Sequence, residues 1–180
     1  MINFDRSYHW YALYTKSRRE KEVERDLTED GYEVYLPTIR RLRVWSDRKK
    51  WVDQPLFSGY VFVKVSNKEY YRVLQHPGVV KYVGFGGEAA RIREWQIEAV
   101  KRALGLNLDM EATTDHFKQG QEVEISAGPM SGLRGEIIRI ASKKQLLLRI
   151  SNIGYSLLVK IPAAYLETGT GTRPVRTVVV

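Results

Sequence analysis

The chain has no cysteine among its 180 residues and only three histidines. The absence of cysteine excludes disulfides, cysteine-based zinc sites and thiol nucleophiles, and it fits a cytoplasmic protein. The histidines, His9, His76 and His116, are too far apart in the sequence to give the spacing of metal ligands. We therefore expect neither a bound metal nor another cofactor.

Long apolar segments are also missing. No run approaches the roughly 18 to 20 apolar residues that a membrane-spanning helix requires. The first 15 residues lack the charged start and apolar centre of a secretory signal. With 43% hydrophobic and 28% charged residues, the composition is that of a soluble, folded protein with no membrane partner.

Positive charge is in excess, with 29 Lys and Arg against 21 Asp and Glu, and it is concentrated in residues 40–50. The basic residues of this segment are Arg40, Arg41, Arg43, Arg48, Lys49 and Lys50. Asp47 is its only acidic residue, so six charges minus one give +5 of the total +8. The excess is local and predicts a defined patch for a polyanion.

Residues 1–104 predict an α+β domain. Strands are expected at residues 9–15, 32–36, 59–65 and 79–85, and helices at 17–30, 66–75 and 94–104. The first two helices begin with the capping-box pairs Ser17 with Glu20 and Ser66 with Glu69. Residues 40–45 and 50–53 predict an exposed hairpin. This order favours an α/β sandwich with an antiparallel sheet of about four strands.

After residue 104 the pattern changes. Residues 105–115 lack periodicity and are predicted to be a linker. Residues 116–168 contain five short β runs split by Gly, Pro, Ser and Asn, which predict a second domain, a small β-barrel. Residues 169–180 are predicted to be a flexible tail.

Four segments resemble the NusG family of transcription elongation factors. Residues 10–15 (WYALYT), 55–63 (PLFSGYVFV) and 76–84 (HPGVVKYVG) are similar to signatures of the family's N-terminal NGN domain. Residues 120–136 are similar to its KOW motif, which lies in an SH3-like barrel. The basic segment at residues 40–50 and the chain length resemble the specialised antiterminator paralogs more than the housekeeping member.

The resemblance implies that the N-terminal domain binds the clamp helices of the largest RNA polymerase subunit. The family's aromatic pocket maps onto Trp10, Tyr11, Phe57 and Tyr60, and aromatic anchors dominate many interfaces. We expect the Ser-Gly turn that follows Phe57 to present Phe57 and Tyr60 near an edge. The alternative is that these aromatic residues belong to the core of a small sheet.

The basic segment has two interpretations. In the first, its six basic side chains contact upstream or non-template DNA, and Trp45 or Trp51 stacks on an exposed base. In the second, it is a solvated hairpin whose charges discourage edge-to-edge pairing. The two flanking tryptophans favour nucleic acid.

The KOW-like segment contains turn residues and one candidate contact. Gly128, Pro129, Gly132 and Gly135 are expected to join two barrel strands. By resemblance, Ile153 occupies the exposed apolar position of a later loop that meets ribosomal protein S10 or the termination factor Rho. The alternative for this loop is an ordinary hairpin apex.

Enzymatic chemistry is not predicted. Residues 84–89 fit G-x-G-x-x-A, but a dinucleotide fold also needs an acidic residue that ends a strand about 20 residues later. Asp109 and Glu111 have that spacing, although the segment before them is too short and irregular for such a strand. No nucleophile elbow or clustered pair of acids is present.

The sequence therefore predicts a monomeric transcription elongation factor that clamps RNA polymerase and suppresses pausing and termination. The KOW domain is expected to recruit a second partner. The alternative is a KOW-type RNA- or ribosome-binding protein that does not act on polymerase.

Overall fold

The structure is a computed structural model in which the chain forms two compact units, Met1–Glu94 and Trp95–Val180. It describes residues 7–44, 46–106, 110–113, 121–125, 132, 134–140, 143–150, 155–159 and 172–174. The described strands pair antiparallel in both units, so the predicted α+β class is confirmed.

The first unit contains two helices and the first residue of a third. Its strands and helices are β1 (His9–Thr15), α1 (Glu20–Glu29), β2 (Glu33–Tyr35), β3 (Thr38–Val44), β4 (Lys49–Pro55), β5 (Tyr60–Val65), α2 (Tyr70–Leu74), β6 (Val79–Tyr82), β7 (Gly84–Phe85), β8 (Glu88–Ala89) and β9 (Arg91–Ile92). Helix α3 (Glu94–Gly105) starts at the end of this unit and continues into the second.

The second unit contains the remaining strands. They are β10 (Met110–Thr113), β11 (Gln121–Ile125), β12 (Arg134–Ile140), β13 (Lys143–Ile150), β14 (Tyr155–Val159) and β15 (Thr172–Pro174).

The main sheet of the first unit has five antiparallel strands. Its order is β2-β5-β1-β6, and β9 also pairs with β1. The sequence predicted about four strands because β9 has only two residues, too few to show a period of two. Strand β1 lies in the centre of this sheet and is buried on both faces, as predicted.

One face of the sheet forms the core with α1. Tyr11 and Leu13 of β1 pack in one buried cluster with Val63 of β5 and with Val23 and Leu27 of α1. The two α1 residues are four positions apart, so they lie on one face of the helix. Burial of this apolar surface is the main stabilising contribution to the unit.

The start of α1 differs from the prediction. Ser17 does not cap the helix, which begins at Glu20 with Arg19 in the cap position. Among the described residues no side chain caps this end. Glu20 does not reach back along its own helix either: its carboxylate accepts a hydrogen bond from the Gly59 backbone N–H at 2.8 Å.

In the second capping pair, Ser66 with Glu69, the glutamate reaches back to the serine as a capping box predicts. Glu69 Oε2 accepts hydrogen bonds from the Ser66 backbone N–H at 2.9 Å and from the Ser66 hydroxyl at 2.8 Å. The regular helix α2 begins one residue later, at Tyr70.

His76 connects the α2–β6 turn to α1. Its Nδ1 accepts a hydrogen bond from the Gly78 N–H at 3.0 Å, so its Nε2 bears the proton and donates to Asp26 Oδ2 at 3.1 Å. Hydrogen bonds from Arg25 and then from His76 lower the pKa of Asp26. The histidine of the HPGV segment thus has a structural role in this turn.

Two hairpins extend the first unit. Strands β3 and β4 form a two-stranded sheet of their own, as predicted, from Thr38 to Pro55. The predicted continuous strand at residues 79–85 is wrong, because β6 ends at Tyr82 and β7 pairs with β8. Gly86 and Gly87, with φ of 62° and 87°, form the turn of this second hairpin. The G-x-G-x-x-A segment is therefore a hairpin and not a strand–turn–helix.

The described strands of the second unit form one antiparallel sheet in the order β10-β14-β13-β12-β11-β15. Strand β10 falls in the range predicted as linker, and β15 in the range predicted as tail. Four of the five predicted β runs are confirmed, while the fifth, at residues 165–167, lies outside the described residues. Closure of this sheet into a barrel stays a prediction.

In the described part of the chain, no helix combines the length and apolar character needed to cross a bilayer.

Candidate functional site

Three of the four aromatic residues predicted to bind polymerase are buried. Trp10, Tyr11 and Phe57 lie in the interior, and Tyr60 is partly exposed. The expectation that Phe57 lies near the surface is wrong, because its ring packs edge-on against Phe62 with 5.9 Å between centroids. Burial supports the core interpretation for the three buried rings, and their part in binding stays a prediction.

Lys64 lies over the ring of Trp10. The Lys64 Nζ lies 5.8 Å from the centroid of the Trp10 ring and is also 3.2 Å from Glu94 Oε1 and 3.5 Å from Glu33 Oε2. The hydrogen bond with Glu94 raises the pKa of Lys64. This lysine therefore lies near the indole as a cation and remains protonated over the physiological range.

Tyr14 is a surface aromatic residue that the sequence motifs did not single out. It is 41% exposed and lies directly opposite Tyr60 on the neighbouring strand. The two ring centroids are 5.6 Å apart with an interplanar angle of 62°. The alternation of β1 places Trp10, Ala12 and Tyr14 on one face of the strand. The sequence pattern was therefore sufficient to place Tyr14 on the same face as Trp10.

A hydrogen-bonded turn at Gly59 lies against this tyrosine pair. Gly59 has φ of 82°, and its carbonyl accepts a hydrogen bond from the Thr15 N–H at 2.9 Å. The Gly59 N–H donates a hydrogen bond to the Glu20 carboxylate in the first turn of α1. A Cβ at position 59 would lie 3.3 Å from Cε2 of Tyr14, so the ring lies directly against the glycine. Tyr14 and Tyr60 are thus presented by a turn bonded to both β1 and α1.

The register of the β3–β4 hairpin divides its side chains between two faces. Arg43 lies opposite Lys50, and Leu42 lies opposite Trp51. Because neighbouring positions point to opposite faces, we name the two faces by their residues. The charged face contains Arg41, Arg43 and Lys50, and the aromatic face contains Leu42, Val44 and Trp51 with Arg40, Lys49 and Asp53.

Both faces of this hairpin are open to solvent along most of its length. On the aromatic face, Leu42 is 46%, Val44 64% and Trp51 56% exposed. The Arg40 guanidinium lies 5.8 Å from the centroid of the Trp51 ring, within the range of a cation–π contact. Arg48 is exposed in the turn, and Trp45 lies outside the described residues.

The structure describes only part of the predicted KOW site. Gly132 has φ of 81°, as a turn glycine requires, and Gly135 lies in β12 opposite Val123. Gly128, Pro129 and Ile153 lie outside the described residues.

Within the described ranges, no group of three His, Cys, Asp or Glu side chains is placed to hold a metal ion.

Comparison with known proteins identifies the family. A family model described as "Transcription termination factor nusG" matches residues 8–101, which are 94 of the 180 residues. The chain belongs to the NusG family, as its sequence motifs predicted. This is a family of transcription factors and not an enzyme family.

Individual relatives agree with the family match. The transcription termination/antitermination proteins NusG of Staphylococcus aureus and Staphylococcus epidermidis are each 26% identical over 174 residues, covering 88% of this chain and 94% of the relative. A solved structure on domain interaction in Thermotoga maritima NusG is 25% identical with a TM-score of 0.45, covering 86% of this chain and 93% of that one.

Proposed function

We propose that this protein is a transcription elongation factor that binds RNA polymerase in the cytoplasm as a monomer, without catalysing a reaction of its own. Membership of the NusG family supports a role in transcription. We further propose that it suppresses pausing and termination at particular operons, because the basic segment at residues 40–50 resembles that of the specialised antiterminator paralogs.

The observation that best supports polymerase binding is the Tyr14–Tyr60 pair. The two rings lie side by side on the sheet, 5.6 Å apart, and are partly exposed. Tyrosine provides a large apolar area with few rotatable bonds and a polar hydroxyl at its tip, which suits a protein interface. We propose that this pair contacts the clamp helices of the largest polymerase subunit.

Binding of the purified full-length chain to core RNA polymerase tests this proposal. Tyr14→Ala and Tyr60→Ala should each weaken binding about tenfold or more, as expected for interface anchors. Tyr71→Ala is the matched control, because Tyr71 is 73% exposed on α2 and outside this pair. Unchanged affinity in the Tyr14/Tyr60 double variant, with an unchanged thermal melt, would refute this site.

We propose a second contact between the basic hairpin and upstream or non-template DNA. The charged face contains three cations and no acidic residue in its described register. Contacts of this kind release counterions and depend strongly on salt. Neutralising Arg41, Arg43 and Lys50 should therefore reduce the salt dependence of binding to an elongation complex.

We also propose that the C-terminal unit recruits ribosomal protein S10 or Rho through Ile153. Capture assays with the full chain and Ile153→Asp test this, since a charge at an apolar contact should abolish recruitment and leave polymerase binding unchanged. Recovery of ribosomal RNA without polymerase subunits would instead favour a KOW-type RNA- or ribosome-binding protein.

A further inference from the structure

We propose that Lys81 is a further contact residue beside the Tyr14–Tyr60 pair and that it binds a carboxylate on the surface of RNA polymerase. This inference rests on the proposed contact between the tyrosine pair and polymerase. It adds a charge to that aromatic surface and names the chemistry of the partner group. In this arrangement Lys81 orients the partner, and the two tyrosines provide the apolar contact area.

The register of the main sheet places Lys81 beside Tyr14. Tyr14 lies directly opposite Tyr60 of β5 and, on its other side, directly opposite Lys81 of β6. Directly opposed residues of an antiparallel pair share one face of the sheet. Neighbouring strands are about 4.8 Å apart, so the three residues form one row about 10 Å long across three strands.

The residues next to this row show which face it occupies. Leu13 and Tyr82 are also directly opposed, and both belong to the buried cluster that packs against α1. Because successive side chains of a strand point to opposite faces, Tyr14 and Lys81 lie on the face away from α1. Both residues are exposed there.

Hydrogen bonds to β1 fix the backbone on both sides of Lys81. The Lys16 N–H donates to the Gly78 carbonyl at 2.9 Å, and the Val83 N–H donates to the Ala12 carbonyl at 2.8 Å. These two bonds flank β6, so the strand cannot slide along β1 without breaking them. The sheet therefore sets the position of Lys81 relative to the tyrosine pair.

The lysines of β5 and β6 on this face differ in their surroundings. Lys64, opposite Trp10, lies 3.5 Å from a Glu33 carboxylate oxygen and 3.2 Å from one of Glu94. The Lys81 side chain has neither a hydrogen bond nor an ion pair with any other residue that the structure describes. An uncompensated ammonium beside an aromatic contact surface is complementary to a carboxylate on the partner.

The expected contribution of Lys81 is to the rate and orientation of association. An exposed ion pair remains largely solvated, so it adds little to the affinity of a complex. Complementary charges nevertheless accelerate the encounter and disfavour other orientations of approach. The tyrosines therefore hold the complex together, whereas Lys81 selects a surface that bears an acidic group.

Stopped-flow association of the full-length protein with core RNA polymerase tests this role. Lys81→Glu should slow association about tenfold at roughly 50 mM salt and change dissociation less than about twofold. The difference in association rate should largely disappear at about 0.5 M salt, where exposed charges are screened. Lys21→Glu is the matched control, because Lys21 is exposed on α1, which covers the opposite face, and the change in net charge is the same.

A second variant separates a role in binding from a role in folding. Lys81→Gln removes the charge without reversing it, so it should slow association about threefold and leave the thermal melt unchanged. A lower melting temperature of Lys81→Gln would assign the lysine to folding instead. Equal slowing by Lys21→Glu would show that net charge alone matters, and faster association of Lys81→Glu than of the wild type would show that the facing polymerase surface is basic. Each of these results would overturn the inference.

The tyrosine variant distinguishes failure of this inference from failure of the proposed function. If Tyr14→Ala weakens polymerase binding but both Lys81 variants associate at the wild-type rate, the charged contact is wrong and the tyrosine contact stands. If neither Tyr14→Ala nor the Lys81 variants change binding, both proposals fail.

Discussion

The carboxylate of Glu20 accepts a hydrogen bond from the backbone N–H of Gly59 at 2.8 Å, across 39 positions of the sequence. Glu20 is buried at the first turn of α1, and Gly59 is in the turn that precedes β5. This bond fixes the turn next to the Tyr14–Tyr60 pair. Helix α1 and the proposed polymerase contact are therefore coupled through one side chain.

Loss of this carboxylate should destabilise the protein. Glu20→Ala leaves the Gly59 N–H without its acceptor and should lower the free energy of unfolding by about 1.5–3 kcal/mol. Glu20→Gln keeps an acceptor oxygen and should cost less than half as much. Thermal melts followed by circular dichroism measure both. Equal stability of the alanine variant and the wild type would show that solvent replaces this bond without cost.

A side chain at position 59 should disturb the tyrosine pair. Gly59→Ala places a Cβ at φ of 82° and 3.3 Å from Tyr14. Gly31 is a matched control, because its φ is 90° but a Cβ there meets nothing within 4 Å. Both variants should lose about 1–2 kcal/mol from backbone strain. Only Gly59→Ala should also weaken polymerase binding, and equal polymerase binding by the two variants would contradict this role of the turn.

Sequence patterns predicted the elements that have strong local signals. The alternating β1 and β5 and the amphipathic α3 were found nearly at their observed bounds. Strands β7 to β9 were not predicted as separate strands, because two residues show no period of two. Strands β7 and β8 pair with each other in a short hairpin, and β9 pairs with the distant β1. Strand β10 was missed because its pairing with β14 is likewise remote in sequence.

The candidate site was less predictable than the fold. Motif similarity selected Phe57, but packing against Phe62 turns its ring inward, and no local pattern encodes that direction. The local capping pattern assigned Glu20 to its own helix, whereas its partner is Gly59. The alternation in β1 was sufficient to place Tyr14 beside the motif residues. The positions of the Phe57 and Glu20 side chains, in contrast, depend on tertiary contacts.

The Ser66–Glu69 pair predicts a loss of stability in acid. Burial raises the pKa of Glu69, but hydrogen bonds from the Ser66 N–H, the Ser66 hydroxyl and Tyr8 outweigh burial and leave its pKa below the ordinary 4.5. The unfolded chain then binds the proton more tightly, so the contribution is present above pH 4.5 and is lost as the pH falls through the folded pKa.

Melting temperatures between pH 3 and pH 7 test this contribution, with the pH limits set roughly around the ordinary carboxylate range. Glu69→Gln should melt below the wild type at neutral pH, and the difference should shrink in acid. Ser66→Ala is a partial control, because it removes the hydroxyl donor and keeps the backbone N–H, so its effect should be smaller. A difference that stays constant over this range would mean that the charge of Glu69 does not contribute.

The β7–β8 hairpin predicts different effects for two neighbouring glycines. A Cβ at Gly84 would overlap the carbonyl oxygen of Glu88 on the facing strand, whereas a Cβ at Gly86 meets nothing within 4 Å. Gly84→Ala should therefore separate the two strands, while Gly86→Ala should cost only about 1–2 kcal/mol of left-handed backbone strain. Amide hydrogen exchange reports this locally, because the Ala90 N–H donates to the Val83 carbonyl at the base of the hairpin. Exchange at Ala90 should be faster in Gly84→Ala than in Gly86→Ala, and the reverse order would show that close approach of the strands is not what requires glycine at position 84.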